Sequence, residues 1–279
     1  MSVNLSASAL PTDAGLALRE VHVQRWVDGQ AENAVDQVAE EWPVELNYNG
    51  IPHVVMLATP TDLEDLAFGF TLTEAIVPRR EEITSVHVRK GPAGHEIAIR
   101  VPPERMGALL NRVRNLTGRT GCGLCGAESV EQAIRTPPPV SAGVSVTPED
   151  FHAALAALSK RQTLNAQTGS VHAAAWVVPG RGIQLLREDV GRHNALDKVI
   201  GSLAISGADV TAGYLIITSR ASYEMVQKAA TCGVTLIVAV SAPTALAIDL
   251  AQATGVTLIG FARSGQHVVY THAQRVMNR

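Results

Sequence analysis

The C-terminal part of the chain repeats the order strand, loop and helix, and this repeat constrains the fold more than any other feature. Three apolar runs are typical of buried strands, and two helical patterns separate them. The strands are predicted at residues 214–218, 234–240 and 256–261, and the helices at residues 222–231 and 244–253. Because right-handed crossovers make such strands parallel, the pattern predicts a sheet layered with helices.

Three loops follow these strands, at residues 219–222, 241–244 and 262–266. They are expected at one edge of the sheet, because the carboxyl ends of parallel strands lie together. Their polar side chains include Arg220, Ser222, Ser241, Thr244 and Arg263. Helix N-termini, hydroxyl groups and guanidinium groups suit phosphate, so this edge is predicted to bind an anionic ligand. For any single residue, the alternative is a helix cap or a solvated side chain.

The N-terminal half has an α+β pattern. A hairpin is predicted at Asn49-Gly50, because alternating apolar residues precede this turn dipeptide and a return strand at residues 51–58 follows it. Thr61 and Glu64 have capping-box spacing at the start of an apolar helix. A second hairpin, with strands at residues 83–88 and 96–101, and a helix at residues 103–117 are predicted after it.

Prolines at positions 137–139 separate the two halves, because neither a helix nor a central strand tolerates such a run. The predicted fold class is therefore α+β with two domains. Residues 1–18 are predicted to form a disordered tail, and residues 19–136 a small α+β domain that ends in a CxxC loop. Residues 137–279 are predicted to form an α/β domain of three layers.

Composition excludes several classes of function. A net charge of −3 and a pI near 6.3 give no general footprint for nucleic acid. Only three cysteines occur in 279 residues, which favours a reducing compartment. Residues 1–18 lack the features of a signal peptide, and no apolar run is long enough to cross a bilayer. The chain is predicted to be cytoplasmic, with no membrane or nucleic-acid partner.

Two of the three cysteines, Cys122 and Cys125, stand two residues apart between glycines. Glycine leaves a thiolate unshielded and gives the loop conformational freedom. Structural zinc, disulfide exchange and persulfide transfer are the alternatives for such a pair. A zinc site needs four ligands, and no second CxxC or HxxxH is present, so no structural metal is expected. Cys232, at the end of an apolar helix, is predicted to be buried packing.

A second polar cluster occupies residues 187–194, ahead of a helix predicted at about residues 195–203. Asp189 or Asn194 either caps this helix or has a functional role. Asp197 with Lys198 forms either a solvated face or a functional pair. His193 belongs to the same cluster, whereas His172 stands alone at a strand entrance, where a histidine is usually structural.

Four motifs in this order resemble the formate dehydrogenase accessory sulfurtransferase (FdhD) family, and the resemblance extends over residues 41–279. The motifs are Gly121-Cys122-Gly123-Leu124-Cys125-Gly126, the stretch from Glu188 to Lys198, Arg220-Ala221-Ser222-Tyr223-Glu224, and Ser241-Ala242-Pro243-Thr244.

The resemblance implies a sulfur carrier, in a homodimer, with a C-terminal domain similar to the cytidine deaminase fold. It would accept sulfur from a cysteine desulfurase and pass it to the molybdenum cofactor, Mo-bis(molybdopterin guanine dinucleotide), before that cofactor enters formate dehydrogenase. GDP or GMP would mimic the cofactor. The HxE and PCxxC motifs of zinc deaminases are absent, which argues against deamination.

The resemblance also assigns site residues. The persulfide carrier of the family falls on Cys122, and Cys125 is either a resolving thiol or an auxiliary carrier. The segment that contacts the guanine dinucleotide falls on Phe261, Ala262, Arg263, Ser264, Gly265 and Gln266. The expected cofactor-binding residues also include His193 and the polar residues of the first two loops, Arg220, Ser222, Ser241 and Thr244. A cofactor chaperone without sulfur transfer and a thiol-disulfide oxidoreductase are the alternative functions.

Overall fold

A computed structural model describes residues 17–107, 109, 135–140, 142–263 and 265–277 of the chain. The described elements of its N-terminal half are β1 Leu18–Val27, β2 Gln30–Ala39, β3 Trp42–Tyr48, β4 Ile51–Ala58, α1 Leu63–Thr73, β5 Ser85–Gly91 and β6 Gly94–Arg100, with short 3-10 turns at Arg80–Glu82 and Pro103–Arg105. Four of the strands form a sheet in the order β4-β3-β6-β5, and β1 and β2 form a separate hairpin.

The hairpin of β3 and β4 confirms the prediction at Asn49-Gly50. Both turn residues have positive φ, 52° and 89°, as the favoured two-residue hairpin turn requires. Val44, Leu46 and Tyr48 alternate along β3 and are fully buried in the core that the sheet forms with α1. Strand β3 pairs antiparallel with β4 and parallel with β6, so it is central in the sheet.

A hairpin of β1 and β2 was not predicted. Its turn, Asp28-Gly29, also has positive φ at both residues. Most of its side chains are exposed on both faces, so the apolar alternation that marks a half-buried strand is weak. Strand β1 begins at Leu18, one residue inside the predicted tail, and residues 1–16 lie outside the described residues.

Two other predictions for this half were wrong in detail. Helix α1 begins at Leu63 with Asp62 in the left-handed region and no side-chain cap, so Thr61 and Glu64 form no capping box. The second hairpin runs from Ser85 to Arg100, with its strands shifted towards the turn. A 3-10 turn opens the predicted helix at residues 103–117, and most of that segment lies outside the described residues.

The C-terminal half contains a six-stranded sheet in the order β12-β11-β10-β9-β7-β8. Strands β9, β10 and β11 are parallel, as the repeat predicts. The elements are α2 Pro148–Arg161, α3 Thr163–Thr168, β7 His172–Val178, β8 Gly182–Asp189, α4 Arg192–Ser206, β9 Tyr214–Ile217, α5 Tyr223–Thr231, β10 Leu236–Ala239, α6 Ala245–Thr254, β11 Thr257–Arg263 and β12 Gln266–Val269, with a 3-10 turn at Ala273–Arg275.

Helices cover both faces of this sheet. Alternate strand residues such as Leu215 and Ile237 pack with α4, α5 and α6 on one face. Their neighbours Ile216 and Val238 pack with Phe151 of α2 on the other face. Burial on both faces explains why these strands are continuously apolar. The three layers agree with the prediction, and the similarity to the cytidine deaminase fold stays a prediction.

Helix α1 of the first half packs directly against α4 of the second. Two glycines permit this contact, one on each helix. A Cβ atom added at Gly69 would overlap the backbone carbonyl oxygen of Asp197, and one added at Gly201 would overlap that of Asp65. Thr73 Oγ1 also donates a hydrogen bond to Asp197 Oδ1 at 2.7 Å. The two halves therefore meet through close backbone contact and buried polar bonds.

Candidate functional site

The loops that follow β9 and β10 are bonded to each other through their backbones. Ala221 N donates to Ala242 O at 3.2 Å, and Thr244 N donates to Ala221 O at 3.0 Å. The end of β11 joins them, because Phe261 N donates to Ser241 O at 3.2 Å. The prediction that three loops lie at one sheet edge is confirmed.

The third segment connects two strands of the sheet. Ala262 and Arg263 belong to β11 and Gln266 begins β12, so the segment is a hairpin with no helix N-terminus behind it. The pairing is irregular between Gly260 and Arg263, and Phe261 has a φ of 51° with 43% of its surface exposed. Such a bulge redirects the side chains after it. Ser264 lies outside the described residues.

A cleft of about 530 Å³ opens at this edge, on the face that carries α2. Its volume is in the range of small-molecule sites. The cleft is lined by His152, Leu155, Ala156, Leu158, Ser159, Gln162, Asn165, Val171, His172, Thr218, Val240, Ala262, Arg263 and Gly265. None of these lining residues is acidic, so an anionic ligand meets no charge repulsion from them.

One histidine that lines the cleft and one histidine beside it have lowered pKa values, which favours their neutral forms. Burial lowers the pKa of His172, and the nearby charge of Arg192 lowers it further. Burial and the adjacent His152 lower the pKa of His267, whose Nδ1 lies 3.2 Å from Nε2 of His152. Among the lining residues that the structure describes, Arg263 is the one arginine and no lysine is present, so its guanidinium group supplies the permanent positive charge.

The structure separates the residues predicted for this edge into two groups. Ala262, Arg263 and Gly265 line the cleft, whereas the polar residues of the first two loops do not. Thr244 caps α6, since its Oγ1 accepts from Ala247 N at 3.3 Å. Ser222 stands at the N-cap of α5 without a side-chain cap, and its hydroxyl is buried with no partner among the described residues. Arg220 is exposed.

His193 lies in the first turn of α4, because that helix starts earlier than predicted, at Arg192. Its Nε2 atom is 2.6 Å from Oε2 of Glu224 in the first turn of α5. Both side chains are mostly buried, at 17% and 13% exposure. This pair joins the N-terminal ends of α4 and α5.

Asp189, Asn194 and Lys198 bond to one another in a buried cluster, so neither the helix cap nor the solvated face, each given as one alternative from the sequence, is present. Lys198 Nζ is fully buried and donates to Asp189 Oδ2 at 2.6 Å and to Thr59 O at 3.0 Å. Asn194 Nδ2 donates to the other oxygen of Asp189 at 2.9 Å. The N-cap of α4 is Gly191, and no side chain caps it. The cluster ties the second half to the loop before α1.

A second buried network surrounds Lys228 of α5. Its ammonium group lies 2.9 Å from Asp197 Oδ2 and 3.0 Å from Glu74 Oε1. Although burial opposes ionisation of Glu74, Lys228 and Arg135 lower the pKa of its carboxyl to about 2. Arg135 binds Glu74 at 2.6 Å, and its carbonyl oxygen accepts from Tyr223 Oη at 2.7 Å. Arg135 comes ten positions after Cys125, so this network fixes the chain on the C-terminal side of the cysteine pair.

Cys122 and Cys125 themselves lie outside the described residues. Cys232 packs against the core at the end of α5, and burial raises the pKa of its thiol to about 12. A raised pKa disfavours the reactive thiolate, and the contacts with the core agree with the packing interpretation. Within residues 17–277, as far as the structure describes them, no group of three or more acidic, His or Cys side chains is placed to hold a metal ion.

Gln162, Asn165 and His152 line the cleft and were missed from the sequence. One signal was present, because Thr147 and Asp150 form a capping box at the start of α2. Recognising α2 would have placed a helix against the sheet, but the position of its end beside Arg263 depends on tertiary packing.

In the described part of the chain, no helix combines the length and apolarity that crossing a bilayer requires.

Comparison with known proteins places this architecture in a family. The FdhD/NarQ family profile matches residues 39–277. The chain is 50% identical over 266 residues to a sulfur carrier protein FdhD of Xanthomonas campestris pv. campestris, covering 95% of this chain and 94% of that protein. It is 49% identical over 272 residues to a sulfur carrier protein FdhD of Cupriavidus necator, with 96% and 94% coverage.

The fold is also similar to a crystal structure. A candidate formate dehydrogenase accessory protein from Desulfotalea psychrophila superimposes with a TM-score of 0.74 at 23% identity, covering 94% of this chain and all of that one. Similarity at this identity supports the fold alone. The family profile and the close relatives together span nearly the whole sequence. The chain belongs to the FdhD/NarQ family.

Proposed function

We propose that this protein is a sulfur carrier in the maturation of formate dehydrogenase. It accepts sulfur from a cysteine desulfurase on Cys122 and transfers it to Mo-bis(molybdopterin guanine dinucleotide) before that cofactor enters formate dehydrogenase. The observation that carries the proposal is a glycine-flanked cysteine pair in a chain about half identical to proteins named sulfur carrier protein FdhD. The protein acts in the cytoplasm as a homodimer.

Sulfur acceptance is a thiol exchange. The Cys122 thiolate attacks the terminal sulfur of the persulfide on the desulfurase. A new S–S bond forms at Cys122, the S–S bond of the donor breaks, and the donor cysteine leaves as a thiolate with the electron pair. No net oxidation occurs, so this step needs no further reactant.

Sulfur release has two routes, which differ in the role of Cys125. In one route, the Cys125 thiolate attacks the inner sulfur of the Cys122 persulfide, which releases hydrosulfide and leaves a disulfide between the two cysteines. The two thiols supply the two electrons, and a cellular dithiol then reduces the disulfide. In the other route, Cys125 is an auxiliary carrier that takes the sulfane sulfur from Cys122 by the same exchange as in the first step.

The molybdenum cofactor is the substrate of the second step, and the cleft beside Arg263 is its proposed binding site. Its guanine dinucleotide carries phosphates, and the lining residues contribute a guanidinium group and no acid. The glycine at position 265 keeps the hairpin narrow with a φ of 73°, so a phosphate approaches the backbone closely. GDP and GMP contain the same guanosine phosphate portion and serve as probes.

Sulfur transfer is tested by mass spectrometry of the intact protein after incubation with a cysteine desulfurase and cysteine. We expect a gain of one sulfur atom that a reductant removes, and we expect Cys122→Ala to abolish the gain. Cys232→Ala is the matched control and keeps it, because the Cys232 side chain packs against the core and its raised pKa disfavours the thiolate. An unmodified wild-type protein that still binds the cofactor would instead indicate a chaperone.

Cofactor binding is tested separately by calorimetric titration with GDP. We expect Arg263→Ala to weaken GDP binding about tenfold, the typical loss of a charge-assisted contact to phosphate. Arg181→Ala is the control, because Arg181 is exposed and does not line the cleft. Equal affinities for the wild type and Arg263→Ala would move the binding site elsewhere.

A further inference from the structure

Two carboxamide side chains line the cleft where α2 gives way to α3. Gln162 is the residue between these helices, and Asn165 lies three positions later, on the same side of α3. Gln162 has only 8% of its surface exposed. Neither carboxamide makes a hydrogen bond to another part of the described chain, although the backbones of both residues are bonded.

The carboxamide atoms of both residues are accessible from the cleft. Each amide offers two donors and one acceptor oxygen. Because neither carboxamide is bonded within the described chain, its hydrogen-bond partners are the molecules that occupy the cleft, water or a ligand. The residue is therefore placed to contact a ligand with hydrogen-bonding groups.

The backbone at the start of α3 does not compete for that ligand. Glu188 Oε2 accepts from Leu164 N at 2.9 Å, and Glu188 Oε1 accepts from Asn165 N at 2.8 Å. These N–H groups are satisfied by a protein carboxylate, so this end of the cleft presents neutral amides and not an anion site. Positive charge is supplied by Arg263, on the hairpin of β11 and β12.

Apolar side chains line the same cleft as the two amides. They belong to Leu155, Val171, Val240 and Ala262. A base needs apolar contact on its faces and polar contact at its edge, and apolar walls with a few convergent polar groups provide both. Guanine presents one acceptor, O6, beside two donor groups, N1–H and N2–H2, so its edge requires both donors and acceptors from the protein.

We infer that Gln162 and Asn165 recognise the hydrogen-bonding edge of the guanine base, while Arg263 holds the phosphates. One amide pairs with O6 and N1–H through its own N–H and carbonyl oxygen. The other accepts from N2–H2, the group that hypoxanthine lacks. This inference rests on the proposed function, because it assigns the two ends of the cofactor's guanine dinucleotide within the cleft.

The experiment compares GDP, IDP and inorganic pyrophosphate by calorimetric titration. Gln162→Met keeps the length of the side chain but removes the amide, and we expect it to weaken GDP binding about tenfold or more while pyrophosphate affinity changes less than about twofold. Asn165→Leu is the second variant, at a partly exposed position that tolerates replacement. We expect the preference of the wild type for GDP over IDP to disappear in at least one of the two variants.

Gln167→Met is the matched control, because Gln167 is an exposed residue of α3 that does not line the cleft. It should bind GDP as the wild type does. If the wild type fails to bind GDP, the proposed cofactor site is wrong. Suppose instead that GDP binding depends on Arg263. If both amide variants then bind GDP with wild-type affinity, or lose affinity for GDP and pyrophosphate equally, the base assignment is wrong and the proposed function stands.

Discussion

Replacing Gly69 with alanine tests how the two halves of the chain are joined. A Cβ atom at this position would lie 2.5 Å from the carbonyl carbon of Asp197, where ordinary contact is 3.4–4 Å, and would also overlap the carbonyl oxygen. Backbone atoms of α4 cannot rotate away as a side chain can. The axes of α1 and α4 must therefore separate by about 1 Å or more to accept one methyl group.

This separation strains several contacts at once. Overpacking of a buried contact costs about 1–3 kcal/mol and occasionally more. The same movement lengthens the 2.7 Å hydrogen bond from Thr73 to Asp197. We therefore expect Gly69→Ala to lower the free energy of unfolding by about 3 kcal/mol. For a chain of this size, that loss lowers the melting temperature by roughly 6–12 °C.

The measurement is thermal unfolding followed by circular dichroism, with urea unfolding as a check. Gly107→Ala is the control, because no atom of the described residues lies within 4 Å of a Cβ atom at that glycine, and it should unfold like the wild type. Gly201→Ala faces the same helix contact and should be destabilised as well. If Gly69→Ala melts at the wild-type temperature, the close approach of α1 and α4 is wrong.

Two buried charges give further predictions. Lys198→Met should lower the free energy of unfolding by about 3–5 kcal/mol, because it leaves the buried Asp189 carboxylate without its cation. Lys160→Met is the control, because Lys160 is exposed, and it should change the free energy of unfolding by less than about 0.5 kcal/mol. Urea unfolding measures both variants, and equal stability of the two would contradict the pairing of Lys198 with Asp189. Glu74 has a pKa lowered to about 2 in the folded protein, so its ionised form stabilises the fold above its ordinary pKa of 4.5, and this contribution is lost as the pH falls towards 2. The stability difference between the wild type and Glu74→Gln should therefore shrink from pH 5 to about pH 2, and a difference that is constant with pH would refute the assignment.

Local sequence patterns predicted the architecture of the parallel strands. The apolar runs after residue 213 and the helices between them specify β9, β10 and β11 with their crossovers, because burial on both faces demands continuous apolar strands. The turn at Asn49-Gly50 likewise specifies its hairpin through backbone conformation alone. Arg263 was placed at the sheet edge for the same reason, since the order of parallel strands fixes which loops lie together.

The sequence by itself determined the three parallel strands with the helices between them, the loops at one sheet edge and the cysteine pair, since each depends on residues close together in the chain. Tertiary structure alone decided which side chains share the cleft. Gln162 lies about a hundred positions before Arg263, and no local pattern relates them. Nor does a local pattern show that Lys198 and Lys228 are buried, because a charged residue on a helix is normally solvated unless a distant carboxylate neutralises it. Contacts between residues far apart in sequence form only when α1, α4 and the sheet pack together.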